Sequence, residues 1–239
     1  MEYDLSKFCE GLKNLDISLT DKQLNQFLTF YEMMIEKNKC VNLTAIREFE
    51  EVVEKHFLDS LCIIKSIDLE KPLKILDLGT GAGFPGIPLK IAFPNLEIVL
   101  MDSLNKRVLF LEEVISKLSL VNISAEHGRA EEIARKTEYR EQFDVCVSRA
   151  VANLSTLSEY CIPFVKQGGM FISYKSGEID EEVVHAENAL HLLGSEIQDI
   201  NKFVLPGTEI WRSLVIIKKN SRTSKTYPRK AGTPTKDPL

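Results

Sequence analysis

The chain lacks any apolar run approaching the roughly 20 residues needed to span a bilayer, so no membrane is expected among its partners. It is short of cysteine. Cys9, Cys40, Cys62, Cys146 and Cys161 are odd in number, scattered, and form no CxxC pair. That argues against a disulfide framework or a zinc knuckle and for reduced packing residues. Histidine is scarce as well: of the four, His185 and His191 lie six apart, which on a helix turns them off a common face, and no metal is expected. The opening MEYDLSKF is acidic and has no secretory apolar core, so a cytoplasmic location is expected.

What is present describes a folded protein. Over 239 residues, 44% are hydrophobic and 27% charged, enough for one large domain or a main domain with a small appendage. The net charge of -5 is unevenly spread. Residues 211–239 hold eight basic groups against one acid, +7, which leaves -12 for residues 1–210. Such asymmetry points to a polyanionic partner, although a terminal tail that only aids solubility would read the same way.

Residues 1–70 read as a helical extension packed on the core. Thr20-Asp21-Lys22-Gln23 fits a capping box, and Leu24, Phe27, Leu28, Tyr31, Met34 and Ile35 follow at helical spacing. A second helix is expected from about Glu48 to Ser66, after a connection whose Asn42 and Thr44 could brace the turn. From Leu73 to about residue 220, short apolar runs alternate with amphipathic segments, the pattern of parallel strands with crossover helices. Strands are expected at Leu73–Leu78, Glu97–Asp102, Asn122–Glu126, Phe143–Ser148 and Gly169–Lys175, with helices at Asn105–Leu118 and Ile179–Leu193. Two last strands, Glu196–Val204 and Trp211–Lys218, are too close for a helical crossover and should pair as an antiparallel hairpin. Residues 221–239 form the basic tail.

The most informative stretch is ILDLGTGAGFPG, residues 75–86. Glycines after a buried strand let a ligand touch the main chain, which is the shape of a nucleotide site. A dinucleotide fingerprint would need glycine at position 84, where Phe84 stands, and no Gly-Lys-Ser/Thr follows to make a P-loop. The spacing D-x-G-x-G-x-G, from Asp77 to Gly83, instead resembles motif I of the class I S-adenosylmethionine-dependent methyltransferases. That superfamily implies an α/β, Rossmann-like, mostly parallel seven-stranded sheet with a terminal antiparallel hairpin. It also implies an acid at the end of the second strand for the ribose hydroxyls, and Asp102 is in place. The fourth strand carries no Asp/Asn-Pro-Pro-aromatic turn, and Cys146 inside it should be buried and inert rather than a nucleophile.

Asn42-Leu43-Thr44-Ala45, Lys55-His56-Phe57-Leu58-Asp59-Ser60-Leu61, the run from Gly79 to Pro88, Lys106-Arg107, Gly128-Arg129-Ala130-Glu131, Ser148-Arg149-Ala150 and the closing Tyr227 to Pro234 together resemble the glucose-inhibited division protein B family. The resemblance covers essentially the whole chain and implies an enzyme that transfers a methyl group from S-adenosyl-L-methionine to N7 of a guanine in 16S ribosomal RNA. It further implies that Gly79, Gly81 and Phe84 meet the cofactor in the first loop and that Asp102 holds its ribose. Ala130 and Glu131 would flank the adenine, and Arg149 would reach the cofactor end of the cleft. From the residues alone, Gly128 to Glu131 could instead cap a helix. Arg149 reads as an unpaired arginine facing a cleft and a candidate for positioning, and His56 reads as a satisfied core histidine.

Guanine N7 has an in-plane lone pair and no proton, so no general base is expected and the enzyme's work is alignment and exclusion of water. RNA phosphates would be held by Lys175 at the cleft edge and by Arg222, Lys225, Arg229 and Lys230 in the tail, as a salt-sensitive contribution. Deleting residues 222–239 should then weaken RNA binding and spare cofactor affinity. The partner would be 16S ribosomal RNA or the small ribosomal subunit, met by a monomer. A small-molecule methyltransferase would share the cofactor site without needing the tail, and a cofactor-binding ribosome-assembly factor would share the fold without turnover.

Overall fold

The structure is a computed structural model describing residues 3–149 and 152–239. Ala150, part of the Ser148-Arg149-Ala150 match, lies outside the described residues. The chain begins with α1 (Ser6–Asn14) and α2 (Asp21–Asn38). The capping box at the head of α2 is formed: Gln23 N–H donates to Thr20 Oγ1 at 3.3 Å and Thr20 N–H to Gln23 Oε1 at 2.9 Å. Phe27, Tyr31 and Met34 are buried as their spacing requires, joined by Phe30, while Leu24, Leu28 and Ile35 sit half-buried at the flank of the stripe. The connection after α2 is braced by Asn38 rather than Asn42: its Oδ1 accepts from Leu43 and Thr44 N–H at 2.8 and 3.1 Å, and its Nδ2 donates to Thr44 O.

The second helical stretch runs from 49 to 65 but changes pitch on the way. α3 (Phe49–Val52) passes into a π-helical segment, Val53–Leu58, then α4 (Asp59–Leu61) and a 3-10 turn, Cys62–Lys65. Apolar spacing cannot signal such an insertion, which widens one turn and commonly occurs at functional sites.

Then come β1 (Lys74–Leu78), α5 (Gly86–Ala92), β2 (Glu97–Asp102), α6 (Asn105–Lys117), β3 (Ile123–His127), α7 (Ala130–Ile133), β4 (Phe143–Arg149), α8 (Leu154–Cys161), β5 (Val165–Ser176), α9 (Asp180–Leu192), β6 (Ser195–Val204), β7 (Trp211–Lys219) and α10 (Thr233–Lys236). The seven strands form one sheet in the order β3-β2-β1-β4-β5-β7-β6. β1 to β5 pair in parallel, and β7 pairs antiparallel with both β5 and β6, closing the expected hairpin. Strand alternation divides the core in two. Ile75, Ile98, Val145 and Ile172 face a cluster that takes in Phe8, Phe27, Phe30 and Phe57 of the N-terminal helices. Leu76, Val99, Cys146 and Phe171 face a second cluster with Leu157 of α8 and Leu190 of α9. Each fully buried phenylalanine contributes about 1.5–3 kcal/mol, so the N-terminal helices are held to the sheet by the core itself.

β1 and β4 lie side by side while the chain proceeds outward from them in opposite directions. Their C-terminal ends flank the switch point where an open α/β sheet presents a ligand crevice.

Two readings of the sequence are corrected. Cys9 and Cys40 are exposed, Cys9 on the outer face of α1 and Cys40 in the turn after α2, so only Cys62, Cys146 and Cys161 are packing residues. The basic segment 221–239 is no solvated tail: it folds back on the body, with Arg140 Nη2 donating to Thr223 O at 2.9 Å and Arg135 Nη2 to Pro228 O at 2.5 Å. No helix of the described residues is long and apolar enough to cross a membrane.

Candidate active site

The glycine loop is built on Asp77. This fully buried residue accepts at one oxygen, Oδ2, from Thr80 Oγ1 at 2.6 Å and Gly86 N–H at 2.8 Å, so the loop is tied at its entrance and its exit. Its other oxygen, Oδ1, has no partner among the described residues, and burial raises its pKa to about 6. Gly79 and Gly81 have φ of +72° and +61°, which glycine adopts without strain. A Cβ added at Gly79 would meet nothing within 4 Å: that face of the loop looks onto open space.

Two cavities share Gly79. The first, of about 270 Å³, is lined by Gly79 with Met101 and Asp102 at the end of β2 and Ser103 after it, Ala130 and Glu131 of α7, and Leu157 and Tyr160 of α8. The second, of about 380 Å³, is lined by Gly79, Gly81, Phe84, Arg149, Lys175 and Arg212 together with Thr44 of the connection after α2 and Lys55, His56 and Asp59 of the helical stretch that follows. The residues expected to hold one cofactor therefore divide. Asp102, Ala130 and Glu131 line the first cavity, Gly81, Phe84 and Arg149 line the second, and Gly79 lies between.

Asp102 is 3% exposed. It accepts from Gly81 N–H at 3.0 Å and Arg107 Nη1 at 3.2 Å on Oδ2, and from Leu104 N–H at 2.9 Å on Oδ1. Three of its about four acceptor positions are used, so it can take one more donor where the sequence suggested a pair of hydroxyls.

Arg149 is not unpaired. Its Nη1 donates to Asp59 Oδ2 at 2.9 Å and to Lys55 O at 3.2 Å, its Nη2 lies 3.1 Å from His56 Nδ1, and its guanidinium stands 4.9 Å over the centre of the Phe84 ring. Arg212 Nε reaches the other Asp59 oxygen at 3.0 Å. His56 Nδ1 faces both Arg149 Nη2, which can only donate, and the Lys55 carbonyl at 3.0 Å, which can only accept, so either neutral tautomer finds a partner there, and Nε2 lies 2.9 Å from the Thr44 hydroxyl, which can donate or accept. Burial first, and the neighbouring Arg149 second, push the His56 pKa down to about 3. His56 is thus a neutral, satisfied histidine, stacked on Phe84 at 4.5 Å between centroids. Phe84 is itself buried against Phe30, so the cleft meets its rim rather than an open ring face.

Two expected phosphate contacts are occupied by protein. Lys175 donates to Ala152 O at 2.8 Å and ion-pairs with Glu182, its side chain only 10% exposed. Arg229 binds the buried Glu159, with Nη2 to Oε2 at 2.7 Å. Arg222, Lys225 and Lys230 remain exposed. Cys146 is fully buried, which raises its pKa well above the usual thiol range and removes it as a nucleophile. Asp59 and Arg212 had escaped the sequence reading. Asp59 stood in the Lys55 to Leu61 stretch that carries the family resemblance, and Arg212 was counted only as one of the basic groups of residues 211–239.

A model of the family described as rRNA small subunit methyltransferase G matches residues 23–211. The chain belongs to that family. It is 56% identical to the ribosomal RNA small subunit methyltransferase G of Lachnoclostridium phytofermentans over 99% of this chain and 98% of that one. It is 51% identical to the protein of the same name from Desulforamulus reducens over 96% of each. Among solved structures, a SAM dependent methyltransferase from Aquifex aeolicus superposes with a TM-score of 0.51 at 17% identity, covering 70% of this chain and 92% of that one, a likeness of fold. Members of this methyltransferase family use S-adenosyl-L-methionine, and the residues here fit it. The side-chain-free face of Gly79 leaves room for a ligand against the main chain, and Asp102 keeps one acceptor position at the edge of the same cavity.

Proposed function

We propose that this chain transfers the methyl group of S-adenosyl-L-methionine to N7 of a guanine in 16S ribosomal RNA, met as free RNA or in the small subunit. The observation that carries the proposal is the pair of cavities meeting at Gly79. The first takes the nucleoside of the cofactor, with Asp102 accepting from the ribose and Ala130 and Glu131 beside the adenine. The second takes the acceptor base. The cofactor supplies a methyl group on a positively charged sulfur.

The protein's part is placement. Gly79, at the wall common to both cavities, sets the approach of acceptor to methyl, and N7 needs no base to remove a proton. Arg149 and Arg212 share the single carboxylate of Asp59, so one of their two charges is balanced and the second cavity keeps guanidinium donors. Donors of that kind suit guanine O6 better than N7, whose lone pair must stay free to react. Exposed Arg222, Lys225 and Lys230 supply the phosphate contacts. The proposal extends to a cytoplasmic monomer, with working boundaries near residues 70 and 220.

Incubation with methyl-labelled S-adenosyl-L-methionine and small-subunit ribosomal RNA, followed by mapping of the label, tests this. A single N7-methylated guanine is expected. Label on another base atom, or transfer only to small molecules, would overturn it.

A further inference from the structure

The segment after β7 is fastened across the first cavity. On one side, Glu131 Oε1 of α7 accepts the Gly232 N–H at 3.0 Å. On the other, four residues of α8 hold the same segment. Tyr160 Oη lies 2.9 Å from Thr235 Oγ1, Thr156 Oγ1 donates to Pro234 O at 3.0 Å, and Ser155 Oγ donates to Leu239 O at 2.9 Å. Glu159 accepts from Arg229 through the backbone N–H at 2.6 Å and through Nε and Nη2 at 3.0 and 2.7 Å. Because Glu159 is fully buried, releasing Arg229 would strand a charge away from water. Glu131 and Tyr160 are also wall residues of the first cavity. The same short stretch of chain therefore grips both walls from outside. The family model ends at residue 211, but the likeness to the Lachnoclostridium phytofermentans protein runs over 99% of the chain and takes in this segment.

We propose that residues 223–239 are a staple that holds α7 and α8 at the spacing the cofactor's adenosine requires, with Arg229 and Gly232 as positioning residues for cofactor binding. The proposal rests on the reading of the first cavity as the cofactor site. Two events that each favour the closed spacing must favour one another equally: a filled cavity tightens the staple, and a loosened staple weakens the cofactor. The expectation drawn from charge alone, that losing residues 222–239 spares cofactor affinity, is thereby reversed.

The test uses the full chain and S-adenosylhomocysteine, the demethylated product. Saturating it is expected to slow amide hydrogen exchange at Gly232 and the residues after it about tenfold, and Arg229→Gln to weaken its calorimetric affinity about tenfold. KM for S-adenosyl-L-methionine should rise by the same factor while kcat at saturation holds, a split that general destabilisation would not produce. Thr235→Val removes only the Tyr160 bond and should cost about threefold. Should Arg229→Gln fail to fold, exchange in the wild type and affinity in Thr235→Val decide the matter. Unchanged exchange and affinity, with Asp102→Ala still abolishing binding, would overturn the staple and leave the cofactor site standing. No binding to the wild-type chain would remove both.

Discussion

Asp59 and Arg149, 90 residues apart in sequence, meet at 2.9 Å in the wall of the second cavity. Both are nearly buried, and Asp59 also holds Arg212. Asp59→Ala would leave two arginines facing one another with no carboxylate between them. We expect a loss of about 3–5 kcal/mol in urea unfolding, typical of a buried pair broken from one side. Methyl transfer should fall with it, since Arg149 is then free to leave the Phe84 face. A stable variant with full activity would contradict the role given to this triad.

His56 makes stability depend on pH. Its folded-state pKa is about 3 against 6.5 when unfolded, so between those values the unfolded chain takes up a proton that the native one refuses. The stability of the neutral ring is whole above pH 6.5 and is lost as pH falls towards 3, by at most about 1.4 kcal/mol per pH unit. Relative to His56→Gln, the wild type should therefore weaken progressively in urea unfolding at pH 7.5, 6 and 5. Parallel behaviour of the two proteins would refute the assignment.

Asp77 has the opposite sign. Its pKa rises from 3.8 to about 6 on folding, so ionisation costs stability as pH climbs through that window. Asp77→Asn cannot ionise and keeps an acceptor oxygen for Thr80 and Gly86, so it should gain on the wild type from pH 4 to 6. Asp77→Ala leaves both loop donors without a partner and should cost about 1–3 kcal/mol at neutral pH.

The glycines separate affinity from stability. A Cβ at Gly79 touches nothing in the protein but enters the space between the cavities at a φ of +72°, so Gly79→Ala should reduce cofactor affinity more than thermal stability. A Cβ at Gly86 would lie 2.2 Å from Leu100 Cδ2 and 2.8 Å from Asp77 Oδ2. Gly86→Ala should lower stability by about 1–3 kcal/mol. Calorimetry and thermal melts on the same preparations distinguish the two patterns.

RNA binding should have its own reporter. Trp211, the single tryptophan, is 60% exposed beside Arg212 and free to stack on an unpaired base. Binding of small-subunit RNA is expected to quench its fluorescence. Replacing Arg222, Lys225 and Lys230 by alanine should lower the slope of log affinity against log salt by about 2–3, one for each phosphate that is no longer neutralised. An unchanged slope would place the phosphate-binding groups elsewhere.

The strands were legible because alternation and apolar runs are local properties. Glu97–Asp102 starts and ends where the residues indicate, and the hairpin followed from the short gap before Trp211. Asp102 was legible for the same reason, as an acid at the end of an apolar run. The Asp59 triad was not, because its arginines lie 90 and 153 residues further along and only tertiary packing brings them together. Net charge misled about the C-terminal segment, since counting cations says nothing of the buried carboxylate that one of them, Arg229, neutralises.

Phe57 and Phe84 share one cluster, and the π-helical segment that carries Phe57 also brings His56 to the second cavity. A chimera joining the first 70 residues of one relative to the sheet of another must therefore match aromatic shapes across the junction. A mismatch there would be felt as slower turnover even where the hybrid still folds.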